Sequence, residues 1–172
     1  MRTQSLHLRG AGLLFVVCFQ ASACASAAVD PVRLAITAQA AWAEARTQAR
    51  GWSTDTRLQY IEGASVTNQG TVQPDAGYWR FAYRSPSRAQ QFVVTVTPTS
   101  VAGEERTPQG PPGFAVGDAT LGTDWIDSPR AIAALPSFGA ATRVHMFLVP
   151  TTPPRWIIGD THLDARTGAV LQ

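Results

Sequence analysis

Lysine is missing from all 172 residues, so the fourteen cationic side chains are all arginine. Schiff-base chemistry is therefore excluded, and Gly-rich phosphate signatures are missing as well. Cysteine is confined to Cys18 and Cys24, so a chain trimmed of its first 27 residues has neither a disulfide nor a thiol nucleophile. Its stability must come from a packed core. No Gly-x-Ser-x-Gly elbow occurs and the acids are scattered rather than paired, which argues against a hydrolase. Ser128 and Ser137 read as a cap and a loop residue.

What is present begins with an export signal. Arg2 and Arg9 make a positive start, an apolar run follows from Ala11 to Phe19, and small residues continue to Ala28. The run falls short of the roughly 20 residues that a membrane helix needs. Two cut positions fit. Ala25-Ser26-Ala27 suits an ordinary signal peptidase and assigns residues 1–27 to the signal. Ala21-Ser22-Ala23 before Cys24 instead resembles a bacterial lipobox, with Ala21 in the place of the usual leucine, and would anchor the chain through an acylated Cys24. The expected location is periplasmic or secreted, with that lipid anchor as the one route to a membrane.

Removing the signal also changes the charge. Two of the fourteen arginines leave with it and every acid lies beyond it, so twelve arginines face twelve acids. No basic surface for nucleic acid is implied. About 145 residues remain, enough for one core or for two small ones packed together.

The first expected element is an amphipathic helix, capped by Asp30, with Pro31 in its first turn and Gly51 at its end. Leu34, Ala38, Ala41, Trp42, Ala45 and Ala49 share one face; Arg33, Gln39, Arg46 and Gln48 occupy the other. Strands are expected at Leu58 to Ile61, Tyr78 to Arg84 and Gln91 to Thr97. Trp79, Phe81 and Tyr83 alternate there with Arg80, Ala82 and Arg84, a period of two that buries one face. From Ala102 to Asp124 the composition turns to Gly, Pro and Thr, and no regular element is expected.

The second half restates the first. Asp127-Ser128-Pro129-Arg130-Ala131-Ile132 repeats the cap, proline, arginine and apolar start of Asp30 to Ile36, on a shorter helix that stops near Pro136. Strands follow at Arg143 to Val149 and Arg155 to Ile158. At the close, Asp164 can accept turn N–H bonds and Gly168 can take positive φ before a last strand. Helix, strand, strand, hairpin thus appears twice, which suggests an internal duplication.

Trp125-Ile126-Asp127-Ser128 opening this unit, Trp156 opening a strand, and the closing Leu163-Asp164-Ala165-x-Thr167-Gly168-x-Val170 together resemble the PepSY domain. The likeness covers Trp125 to Gln172; the first half shares only the order of elements, since Thr97-Pro98-Thr99-Ser100-Val101 stands where Asp-Ala-x-Thr-Gly is expected. The resemblance implies an α+β fold of two PepSY-like units, each a helix packed on a small antiparallel sheet. They would span residues 28–101 and 125–172, joined by a Gly/Pro-rich connection at 102–124. It also implies an exported, non-enzymatic binding or regulatory module whose partner is another exported protein, such as a peptidase that it inhibits. The family supplies no catalytic residue and no cofactor to carry over. A structural or assembly factor of the bacterial envelope is the alternative.

A third reading, a metal-dependent enzyme, rests on Asp160, His162 and Asp164, which share a face if the stretch is extended. The competing explanation is a solvated strand face running into a turn, and no metal, catalytic or cofactor site is assigned. Among the tryptophans, Trp42, Trp79 and Trp156 are expected in the core, while Trp52 and Trp125, beside Gly51 and Asp124, are candidates for an exposed binding surface.

Overall fold

The computed structural model of the chain describes residues 35–115, 117–139 and 142–171. The expected export signal, Cys24 and the expected helix start at Asp30, Pro31, Arg33 and Leu34 lie outside the described residues. Within them the elements are α1 (Ala38–Trp52), β1 (Arg57–Val66), β2 (Tyr78–Arg84), β3 (Gln91–Val96), β4 (Val101–Arg106), α2 (Ser128–Ala133), β5 (Val144–Val149), β6 (Arg155–Ile158), β7 (Thr161–Asp164) and β8 (Val170–Leu171). No helix among the described residues is long and apolar enough to cross a membrane.

The α1 stripe emerges as its 3.6-residue spacing requires: Ala38, Ala41, Ala45 and Ala49 are all fully buried. Its N-cap is Thr37 rather than Asp30, with the hydroxyl accepting from Ala40 N at 3.3 Å. Gly51 does not stop the helix. The chain runs on through Trp52, and Ser53 closes the last turn by donating its N–H to Ala49 O.

All eight strands join one antiparallel sheet in the order β4-β3-β2-β1-β5-β6-β7-β8. This corrects the expected α+β fold of two helix-on-sheet units. The molecule is mainly β, α2 has six residues, and no boundary divides the sheet. The reason lies in β1 and β5, each of which would be the edge of its own four-stranded sheet. Unpaired edges leave backbone groups without partners. Pairing Ile61 with Leu148 and Gly63 with Met146 removes both edges and merges the apolar faces into one core, in which Ile61, Trp79 and Phe81 join Met146, Trp156 and Leu163.

The 102–124 connection is corrected as well, because Val101–Arg106 is an edge strand laddered along β3. Gly103, Glu104 and Glu105 carry little strand propensity, so the ladder decides the conformation. Charged residues on an edge also discourage pairing with a further chain.

Two details repeat between the halves. The fully buried Trp79 of β2 donates from Nε1 to Ile36 O at 3.0 Å, and the fully buried Trp156 of β6 donates to Ile126 O at 3.0 Å. Each carbonyl lies two residues before its helix. The correspondence therefore runs Ile36-Thr37-Ala38 to Ile126-Asp127-Ser128, rather than from Asp30. The helix starts also clasp one another: Ser128 Oγ accepts from Ala38 N at 2.9 Å and donates to Gly70 O at 2.6 Å, while Asp127 Oδ1 accepts from Gln39 N at 2.9 Å. A carboxylate is favoured beside such free helix N–H groups.

Gly63, at the middle of β1, leaves room for an indole: a Cβ there would stand 2.3 Å from the Trp79 ring. Gly168 has φ of +82°, as the closing turn requires, and Asp164 Oδ1 accepts from Arg166 N and Thr167 N at 2.8 and 3.0 Å.

Candidate functional site

Both helices lie on one side of the sheet, leaving the other side to strand residues. Directly opposed residues share a face, so the register defines a row that crosses all eight strands: Ala102, Thr95, Arg80, Glu62, Phe147, Ile157, His162, Leu171. From Thr95 to Glu62 it is polar. Its second half offers the half-buried Phe147 and Ile157.

Glu62, 8% exposed, is the hub of this face. Its Oε1 accepts from Tyr78 Oη at 3.0 Å and lies 2.9 Å from His145 Nε2, while Oε2 accepts from Arg80 at 2.8 Å. The Arg80 guanidinium lies over the Tyr78 ring, and His145 stacks on Phe147 with centroids 4.9 Å apart. Burial, then the adjacent Glu62 charge, pushes the phenols of Tyr78 and Tyr60 up. Burial works against the Arg80 charge, but Glu62 and Tyr78 outweigh it and hold the guanidinium more firmly protonated. A carboxylate with three partners is engaged rather than free to act as a base. Among the described residues, no serine or cysteine hydrogen-bonds to His145.

One end of the face is roofed by residues 109–115 and 117–119. A bulge at Gln59 turns Leu58 toward the helices and Tyr60 toward the open side. Gln91 Nε2 donates to Gln59 Oε1 at 2.8 Å and to Gln109 O at 2.9 Å, and Gln59 Nε2 donates to Gly117 O at 2.8 Å. These amides hold the segment over a cavity of about 150 Å³, lined by Tyr60, Pro111, Phe114, Val149 and Pro150 among others. Phe114 stands 39% exposed at its rim.

The candidate trio of Asp160, His162 and Asp164 does not assemble. Asp160 occupies the two-residue β6–β7 turn behind Gly159, whose φ is +57°. The Asp164 carboxylate serves its own turn, and two backbone N–H bonds hold it below its ordinary pKa. His162 remains on the open face. No cluster of three or more potential metal ligands occurs among the described residues.

Neither candidate tryptophan forms a free surface. Trp125 is 5% exposed, packed between Trp42 and Trp156 with centroids 5.6 and 6.0 Å away. Trp52 is half-buried, stacked on Phe92 at 5.1 Å beneath Arg88, with Nε1 donating to Glu105. Trp42 is half-buried, whereas Trp79 and Trp156 lie in the core as expected.

Sequence reasoning missed the Glu62 cluster. The alternation around Trp79 places Tyr78 and Arg80 on one face, but Glu62 and His145 lie 83 positions apart and meet only through the β1–β5 pairing. In comparisons with known proteins, no family model, no curated protein and no solved structure matches the chain.

Proposed function

We propose that this chain is an exported, non-catalytic binding module that regulates a peptidase by receiving an extended segment of it across the open face of the sheet. The PepSY resemblance supplies the partner class. The observation that carries the reading is the open face itself, where half-buried Phe147 and Ile157 adjoin a fixed polar hub and a small apolar cavity. Aromatic and aliphatic anchors beside polar groups are the composition of a protein-binding surface. Side chains carry the contact, since β4 presents Glu104, Glu105 and Arg106, and β8 has two residues. Strand addition at either edge is therefore disfavoured.

Thermolysin is the probe. Cleavage of a fluorogenic peptide is expected to slow at micromolar protein, and Phe147→Asp with Ile157→Asp to relieve the inhibition at least tenfold. Both positions are half-buried on the helix-free side, so circular dichroism checks that the doubly substituted chain folds. An unchanged rate with the unsubstituted protein, or equal inhibition by the folded double variant, rejects the reading.

A further inference from the structure

On the helix-covered side, a second cavity of about 330 Å³ opens between the C-terminal half of α1, the start of β1, the end of β2 and residues 120–123. Arg46, Arg50 and Arg57 line it together with four threonines, Trp42 and Tyr83, and no carboxylate does. Arg50 and Arg57 make no ion pair among the described residues, and Arg46 lies over the Trp42 ring at 5.0 Å. Arg46 and Arg50 stand at i and i+4 on α1, where like charges repel. The carbonyl end of α1 accounts for one cation in the last turn. It does not account for three around one opening. Nearby acids are engaged: Asp55 receives the hydroxyls of Ser53, Ser85 and Ser87, and Asp124 pairs with Arg166.

The floor gives a second, independent indication. Tyr83 is 3% exposed, and its hydroxyl and Trp42 Nε1 are both buried with no hydrogen-bond partner. Such groups are rare in folded proteins and call for a reason. Burial pushes the Tyr83 phenol well up, offset in part by Trp42 and by the Arg46 charge. Tyr83 therefore stays a neutral donor. The adjoining cleft shares Arg57 and Thr120 and adds Arg84, with Asp118 its one acid.

We propose that this cavity binds the oxyanion head group, phosphate or carboxylate, of a small ligand through the guanidinium groups of Arg46, Arg50 and Arg57, with Tyr83 and Trp42 as donors beneath. Planar guanidinium forks match the paired oxygens of both head groups, and charge-assisted hydrogen bonds are the strong ones. Arg46 leaves the Trp42 ring to reach the anion, which uncovers the donors. Bound anion also relieves the repulsion between Arg46 and Arg50.

Inorganic phosphate and citrate are titrated into the purified protein at low ionic strength, by calorimetry and tryptophan emission, against sodium chloride at matched ionic strength. Saturable binding of at least one anion is expected, weakened at least tenfold by Arg50→Gln with Arg57→Gln and several-fold by Tyr83→Phe. Arg50 and Arg57 are exposed, so the double variant keeps its fold, and Arg143→Gln, beside Asp75, leaves binding unchanged. Phosphate alone binding assigns a phosphate head group; citrate alone assigns a carboxylate. Binding no stronger than the chloride control, or equal affinity in the arginine double variant, overturns the proposal.

Discussion

The first four strands and the last four each have one side to cover, and they cover it with different material. Over β2, β3 and β4 lies the fifteen-residue α1, whose alanine stripe lets the helix approach closely. In the second half α2 contributes six residues, and bulk comes from Ile132 within it and from Trp125 and Ile126 just before it. The outer faces differ too, polar around Arg80 and Glu62 but apolar around Phe147 and Ile157. What the halves share is the tryptophan that holds the carbonyl two residues before each helix. Anchoring the entry to a helix thus matters more to this architecture than the length of the helix that follows.

The most severe way to break that comparison is to remove one anchor. Trp79→Ala and Trp156→Ala should each cost about 3–5 kcal/mol, the range for truncating a large buried ring. Because the halves share one sheet and one core, chemical denaturation of either variant should remain a single transition by tryptophan emission and by circular dichroism. Two separated transitions would show that the halves unfold independently.

The clasp between the helix starts comes next. Ser128→Ala leaves Ala38 N and Gly70 O without their shared partner, and unpaired buried groups cost roughly 1–3 kcal/mol. The denaturation midpoint should fall accordingly, with an unchanged slope. A loss below a few tenths of a kcal/mol would mean that the two helix starts are coupled by packing alone.

At the closing turn, Gly168 combines positive φ with a tight site, since a Cβ would come within 3.2 Å of Ile126 Cδ1. Gly168→Val should destabilise by about 1 kcal/mol or more beyond Gly168→Asn, because asparagine tolerates the left-handed region and a β-branched residue does not. Equal melting temperatures for the two variants would show that the turn relaxes.

The smallest effect belongs to Asp55, which ties the α1–β1 loop to the β2–β3 hairpin. Hydroxyls of Ser53 and then Ser85 hold its pKa at about 2, below an ordinary 3.8. A depressed carboxylate stabilises the fold at pH above about 4, and that contribution is lost as the pH falls through about 2. Asp55→Asn should flatten the acid limb of the stability curve between those values and leave its slope near neutrality unchanged.

Short-range patterns in the sequence determined the buried alanine stripe of α1, the alternation of Trp79, Phe81 and Tyr83, the β2–β3 hairpin and the Asp164 to Gly168 turn. Each depends on residues within a few positions of one another, where side-chain period and backbone φ act directly. Tertiary structure alone decided that β1 and β5 pair, because two exposed edges compete for backbone partners that neither half contains. It made a strand of Val101–Arg106 through its ladder to β3, and it moved the first helix cap to Thr37, where the Asp127–Ser128 clasp meets α1. The Glu62 hub and the arginine-lined cavity follow from the same cause: both join segments far apart along the chain, and local periodicity carries no information about which distant residue will stand opposite.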